Sequence, residues 1–250
     1  MMDNTKVLEE ETSSTSAHKC PWMPTSYVDC TDFELMKKAK IHAAHVLLWS
    51  RDEKPVSPYH YDDIELPMQT KILMQVRFDG SFGFPGGFVD ELESKVPSSF
   101  PKFLELLQQG VCRELFEEMG FGRDTSPSYV YSCHPAGREK DVMLHFFMFQ
   151  LTPSQMKAIS WGSIISTSDE VVGLSLVPLY TMKDGIRGLP TFLTNSFAGN
   201  AVEQLLRCIL KQGFLSEVEV RKATEVAFKI LKKRGGGDLK FEFQSHTHIL

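Results

Sequence analysis

Residues Arg113 to Phe121 read R-E-L-F-E-E-M-G-F, with Glu114, Glu117 and Glu118 at positions i, i+3 and i+4. On an α-helix that spacing puts the three side chains on one face, about a turn apart. Three anions held so close repel one another unless a cation sits between them, and oxygen donors of this kind suit Mg²⁺ or Mn²⁺. Upstream, Gly83-Phe84-Pro85-Gly86-Gly87-Phe88-Val89-Asp90 is a glycine-rich segment able to turn tightly and bring bare backbone to a ligand. Together the two segments point to a divalent-metal site for cleaving phosphate anhydrides. The E-x-x-E-E spacing alone also decorates exposed helices for solubility. The longer string behind a G-x-P-G-G turn is what makes the signal specific.

The elements that must position these groups follow from periodicity. His42 to Ser50 and Lys71 to Arg77 read as strands, and Asp79-Gly80 turns the chain between the second strand and the glycine-rich return over Phe82 to Val89. From Phe103 to Met119 the spacing is helical, with Leu104, Leu107, Val111, Leu115 and Met119 forming one apolar stripe that Gly120 ends. The three glutamates lie off that stripe, free to face a cleft. Tyr129 to Cys133, Val142 to Leu151 and Val171 to Tyr180 read as strands, and Thr152-Pro153-Ser154 opens a short helix. Further helices are expected over Pro190 to Phe197, Ala201 to Lys211 and Ser216 to Lys233. Strands and helices alternate irregularly, which favours an α/β (α+β) fold with a mixed sheet covered by helices.

Composition sets the outer bounds. The 250 residues, 42% hydrophobic and 24% charged, are enough for one domain with a full core plus trimmings. The expected division is a disordered extension over 1–34, a catalytic domain over 35–215, a C-terminal helix over 216–234 and, past Gly235-Gly236-Gly237, a flexible tail over 235–250. A formal charge of −5 gives no protein-wide basic field for nucleic acid. The local basic runs, Lys37, Lys38 and Lys40, then Lys229, Lys232, Lys233 and Arg234, are more simply solvated helix faces, though a polyanion could use either. Five scattered cysteines without a C-x-x-C pair argue against a disulfide framework and for a reducing compartment. The acidic N-terminus does not read as a signal peptide, and the longest apolar stretch, Val142 to Leu151, is too short to span a bilayer.

The glutamate segment resembles the Nudix box, G-x5-E-x7-R-E-U-x-E-E-x-G-U with U apolar. Glu105, seven intervening residues and then Arg113 to Phe121 match everything after the first spacer. Leu92 to Phe103 reads as an insertion in that spacer, with Pro97-Ser98-Ser99-Phe100-Pro101 as loop. The resemblance extends further. Met74 to Gly80, Gly83 to Asp90, Val177 to Thr181 and Gly188 to Phe197 are similar to the RNA-decapping Nudix hydrolases that act on small nucleolar RNA, and the match runs from about His42 to Leu210. It implies the Nudix fold, a mixed β-sheet sandwiched between helices with a loop-helix-loop metal motif. It also implies hydrolysis of capped RNA, of inosine or deoxyinosine diphosphate, or of ADP-ribose, at Mg²⁺ or Mn²⁺. A homodimer and residence in nucleus (nucleolus, nucleoplasm) and cytoplasm are further implications, with no membrane association.

Residue by residue, the resemblance implies Glu114 and Glu118 as metal ligands, with Glu117 as ligand or base. It adds the Gly86 carbonyl oxygen and His134 to the metal, and gives the nucleotide to His45, Arg77, Phe84 and Gln204. The residues themselves leave several of these open. His45 could be a core histidine or a base contact, Phe84 core or ligand-facing, and Gln204 solvated or reading a purine edge; Arg77 offers a charged fork for phosphate. Arg113 is expected to be structural, holding its helix to a neighbouring carboxylate. The alternative from a different class is a non-catalytic Nudix module that binds RNA or protein, and retention of all three glutamates argues for the enzyme.

Overall fold

The computed structural model describes residues 26–53, 69–94, 96–122, 124–162 and 170–234. Strands β1 (Tyr27–Cys30), β2 (Ile41–Arg51), β3 (Thr70–Arg77), β4 (Phe82–Gly83), β5 (Gly86–Phe88), β6 (Ser128–Pro135), β7 (Val142–Leu151) and β8 (Val171–Leu176) form one mixed sheet. The order runs β1-β6-β7-β2-β3-β4, with β5 also paired to β2 and β8 to β3. The β2–β7 pair is parallel and the rest of the named pairs are antiparallel.

Alternation along the strands splits the core in two. Ala44, Val46 and Leu48 of β2 face one way and pack with Leu107, Val111 and Leu115 of α3 (Phe100–Met119). Leu47, with Ile72, Met74 and Phe146, faces the other way, onto α6 (Ala201–Lys211) and α7 (Glu217–Lys233). Helices α1 (Phe33–Met36), α2 (Glu91–Ser94) and α4 (Pro153–Gly162) complete the α3 side, and the one-turn α5 (Leu189–Phe192) joins the other. This is the sandwich of a mixed sheet between helices that the strand and helix patterns imply. Gly110 lets α3 press close to the sheet, because a Cβ there would sit 3.0 Å from Val89 Cγ2.

Four expectations change. The extension expected to be unstructured through residue 34 includes β1 and the start of α1. β1 is held by pairing with β6, and α1 by the Asp32 side chain, which accepts from the Glu34 and Leu35 amides. Phe100-Pro101, read as loop, is the first turn of α3. Ser99 is its N-cap, and Pro101 is tolerated where no intrahelical N–H is needed. Val171 to Tyr180 yields a strand only to Leu176. Pro190 to Phe197 yields one turn, because Leu193 already caps it. Residues 1–25, the proline-bearing loop over 54–68 and the tail over 235–250 lie outside the described residues.

Under α3 a hydrogen-bonded chain crosses the sheet. Tyr129 Oη lies 2.7 Å from Ser132 Oγ, Ser132 Oγ 2.7 Å from His145 Nδ1, and His145 Nε2 3.0 Å from His42 Nδ1. Phe103 packs edge-on against both imidazoles. Burial pushes the His42 imidazole down to about 4, and burial with its histidine neighbours holds His145 well below the usual range. Unfolded histidines take up a proton below pH about 6.5 while these two stay neutral, so the unfolded state binds more protons there. Stability is therefore complete above that pH and falls on acidification, by about 1.4 kcal/mol per pH unit for each imidazole. The melting temperature of the full chain should begin to drop between pH 6.5 and 5, before ordinary carboxylates titrate. A flat profile across that interval would contradict the buried pair.

Candidate active site and metal centre

Glu118 is at the centre of the site. It is 4% exposed, and one carboxylate oxygen accepts from the Gly86 amide at 3.1 Å and from Gln75 Nε2 at 3.0 Å. Burial, followed by the charges of Glu114 and Glu170, pushes its carboxyl up to about 7, despite both donated bonds. Gly86 is where β5 leans onto β2. Its φ is 134°, and a Cβ there would fall 2.1 Å from the Ala44 carbonyl oxygen, so only glycine fits. The next residue, Gly87, keeps room for Glu114: a Cβ would lie 2.8 Å from the Glu114 carboxyl carbon. Burial raises the Glu114 pKa, with Arg113 opposing and Glu117 and Glu170 adding to the rise.

Arg113 does the organising expected of it. Its Nη1 lies 2.9 Å from Glu114 and 3.2 Å from Glu117, its Nη2 donates to the Phe88 carbonyl at 3.0 Å, and Glu91 stands 4.0 Å from its Nε. Glu117 is consequently drawn to the solvent side, away from Glu118. The i, i+3, i+4 face is thus divided into a buried carboxylate, a half-buried one and an exposed one.

These residues fit a divalent cation, although among the described residues no group of three or more His, Cys, Asp or Glu stands ready-made around one point. Burial and neighbouring carboxylates suppress the acidity of both Glu114 and Glu118; Arg113 pairs with Glu114 at 2.9 Å, whereas Glu118 has only the neutral donors Gln75 and Gly86 among the described residues. Mg²⁺ in particular takes one or two carboxylates and keeps several waters. Gly86 contributes its N–H to Glu118, so it is at the site as expected, with the observed contact made by the amide.

One expected member, His134, stands elsewhere, as does Glu105 of the box pattern. His134, at the far end of β6, pairs with Val28 of β1 and places its Nδ1 3.0 Å from the Pro135 carbonyl oxygen. Three strand spacings, about 14 Å, separate β6 from β5, so the structure does not bring His134 to the glutamates. The family resemblance implied convergence; the sheet order places β7 and β2 in between. Glu105 sits nine residues before Glu114, and at about 100° per residue that is the opposite side of α3. There it is exposed and accepts from Gln109 at 3.5 Å.

The nucleotide candidates gather on the other face of the sheet. His45 pairs in register with Gly86 and Phe146, and burial with the Arg77 charge pushes its imidazole down to about 4. Phe84, read as core or ligand-facing, is core: 3% exposed, with its ring 5.3 Å from that of Phe146. Gln204 is buried in α6, unlike the usual solvated helical glutamine, and its Nε2 has no hydrogen-bond partner. Arg77 packs its stem on Gly83, where a Cβ would be 3.2 Å from Arg77 Cδ. A cavity of about 720 Å³ lies elsewhere, lined by Arg51, Tyr180, Phe214 and Lys222 among others, and none of the expected site residues lines it.

Two residues come to the site that sequence reasoning missed. Gln75 fixes Glu118, and Glu170, just ahead of β8, adds negative charge at Glu114 and Glu118. Neither has a spacing relation to the helix. Alternation along β3 marks Gln75 as a polar residue in an apolar strand, which is a usable signal; Glu170 arrives only through the pairing of β8 with β3.

The family model described as "Nudt16-like: U8 snoRNA-decapping enzyme-like" matches residues 42–215. The U8 snoRNA-decapping enzyme of Bos taurus is 39% identical over 178 residues, 70% of this chain and 83% of that protein. The Tudor-interacting repair regulator protein of Homo sapiens is 34% identical over 194 residues, 77% of this chain and 83% of that protein. Among solved structures, a mutT/nudix family protein from Listeria innocua is 17% identical with a TM-score of 0.43, covering 71% of this chain and 99% of that one.

Gly87→Ala should push the Glu114 carboxylate aside without disturbing the sheet. Its expected result is an apparent Mn²⁺ affinity at least about tenfold weaker, read from metal-dependent stabilisation against heat. An unchanged Mn²⁺ titration would show that Glu114 holds no metal.

Proposed function

Because the chain belongs to the Nudt16-like, U8 snoRNA-decapping enzyme-like family of Nudix hydrolases, we propose that it is a metal-dependent hydrolase of nucleoside diphosphate derivatives. Its substrate would be an RNA cap or a free (deoxy)inosine diphosphate. The observation that carries this is Glu118, buried beneath Gly86 with only neutral donors among the described residues, and Glu114, half-buried and paired with Arg113, on the same helix face. A binding module has no use for such an arrangement, which costs stability when no cation is bound.

Glu114, Glu118 and the backbone at Gly86 would hold Mg²⁺ or Mn²⁺. When bound, such an ion neutralises phosphate oxygens and lowers the pKa of a water it carries. Gln75 and the Gly86 amide keep Glu118 in one orientation. Glu117, exposed and held at 3.2 Å by Arg113, could turn toward the reacting phosphate and accept the proton of the attacking water. Arg77, at the edge between the two faces, would take a phosphate oxygen, and His45 and Gln204 would orient the nucleoside above the Phe84 and Phe146 rings. Residence in nucleus and cytoplasm, and a homodimer, accord with the family resemblance.

Glu118→Gln keeps the size of the side chain and removes its charge. Turnover of inosine diphosphate with Mn²⁺ should fall on the order of 100-fold or more. The fold should survive. A carboxyl raised to about 7 is protonated more in the folded than in the unfolded state between its ordinary value and pH 7, so wild-type stability without metal declines as pH rises through that window. That slope opposes the slope of the buried imidazoles. At pH 8 without metal the variant should melt no lower than the wild type. Full activity in the variant would sink the assignment.

A further inference from the structure

The cleft that none of the metal or nucleotide candidates lines has a composition of its own. It encloses about 720 Å³ between the end of β2, the start of β3 and one face of α7. Two half-buried rings, Tyr180 and Phe214, stand in its wall. Both are fixed. Gly188, at φ 95°, passes so close to Tyr180 that a Cβ would fall 2.2 Å from its carbonyl oxygen and 3.1 Å from its Cδ2. The Phe214 ring lies 4.9 Å from that of Trp49.

Cations gather on its rim. Arg51, Lys222 and Lys229 are exposed there, and none of the ion pairs among the described residues includes them. Two carboxylates share the rim. Glu225 is one; the other, Glu219, is occupied, because the Ser216 hydroxyl and amide, at 2.6 and 2.8 Å, hold its carboxyl below the usual range. The cleft is therefore a positive spot on a chain of formal charge −5. Unpaired cations beside half-buried rings are what a single strand of nucleic acid requires: the cations meet phosphates, and the rings stack on bases of any sequence. Its position agrees. Arg51 shares a face of β2 with His45 and lies six residues along it, about 20 Å away. About six stacked nucleotides cover that distance.

We propose that this cleft is a second binding site, taking a short stretch of single-stranded RNA several nucleotides away from the catalytic centre, with Arg51, Lys222 and Lys229 on its phosphates and Tyr180 and Phe214 against its bases. In the proposed function such a strand is the body of a capped substrate, and the inference rests on that reading only for where the strand comes from. The site would favour a capped RNA over a free nucleotide, since only the former reaches both places. Lys232 and Lys233, in the last turn of the same helix, do not line the cleft.

Fluorescence anisotropy of a labelled 5′-hydroxyl decauridylate with the full chain, in the absence of metal, tests it. That probe carries no cap, diphosphate or purine for the catalytic centre. Lys222→Glu with Lys229→Glu should weaken its binding at least about tenfold at low salt. The same pair should flatten the slope of log affinity against log salt by about 1.4, two phosphate contacts at about 0.7 each. Lys232→Glu with Lys233→Glu makes the same change of charge on the same helix outside the cleft, and should weaken the probe by less than about threefold. Tyr180→Leu should weaken it about tenfold with the slope unchanged, the loss of one stacked base. The proposal is overturned if the wild type does not bind the probe, if the two double variants lose equally, or if Tyr180→Leu loses nothing. Uridine 5′-monophosphate binding as tightly as the decamer would overturn it too, as the mark of a pocket for a free nucleotide. Turnover of inosine diphosphate, which all these variants should retain, reports separately: its absence from the wild type removes the hydrolase reading and leaves the strand-binding cleft.

Discussion

The approach of β5 to β2 at Gly86 is the constraint on which the site depends. The backbone there leaves no room for a side chain against Ala44, and the close pass delivers an N–H into the interior, where Glu118 accepts it. A buried carboxylate with two neutral donors is held at a definite place at a definite cost. Everything else in the centre is arranged around it. Gly87 clears space for Glu114, Gly110 lets α3 settle on Val89, and Arg113 ties the outer end of the helix to the Phe88 carbonyl.

One sheet presents two different sets of polar groups because its faces are separated by strand alternation. Ala44 and Val46 of β2 look toward α3, and His45 and Leu47 look toward α6. Charge collects on the α3 side at the edge near β5, and unpaired hydrogen-bonding groups collect on the α6 side over Phe146. In the proposed function, a nucleoside diphosphate would span this divide, its phosphates at the carboxylates and its base on the other face. Arg77, on the strand that borders both, is placed to bridge them. The buried His42–His145 pair belongs to neither chemistry: packed beneath Phe103 and bonded to Ser132, it holds three strands together under the helix.

The carboxylates and the glycine turn were legible in the sequence because each depends on local geometry. Helical spacing put Glu114 and Glu118 within a turn of each other, and glycine followed from a backbone no other residue can adopt. The long strands and the stripe of α3 were legible for the same reason, since periods of two and 3.6 are properties of a single element. The boundaries that shifted, Phe100-Pro101 at the start of α3 and the early stop of β8, depend on caps and on partners outside the segment.

What the sequence determined by itself was the chemistry on offer: oxygen donors at helical spacing, a turn that only glycine can make, an arginine to hold the acids. Only the tertiary structure decided which donors meet. Sheet order moved His134 away from the glutamates, and ion pairing drew Glu117 outward. Phe84 became core, Gln204 was buried with an unpaired amide, and the β3 and β8 pairing brought Gln75 and Glu170 beside Glu118. The physical reason is the range of the interactions. Spacing along one element is written in neighbouring residues, whereas burial and convergence between strands are set by the order in which distant segments pair.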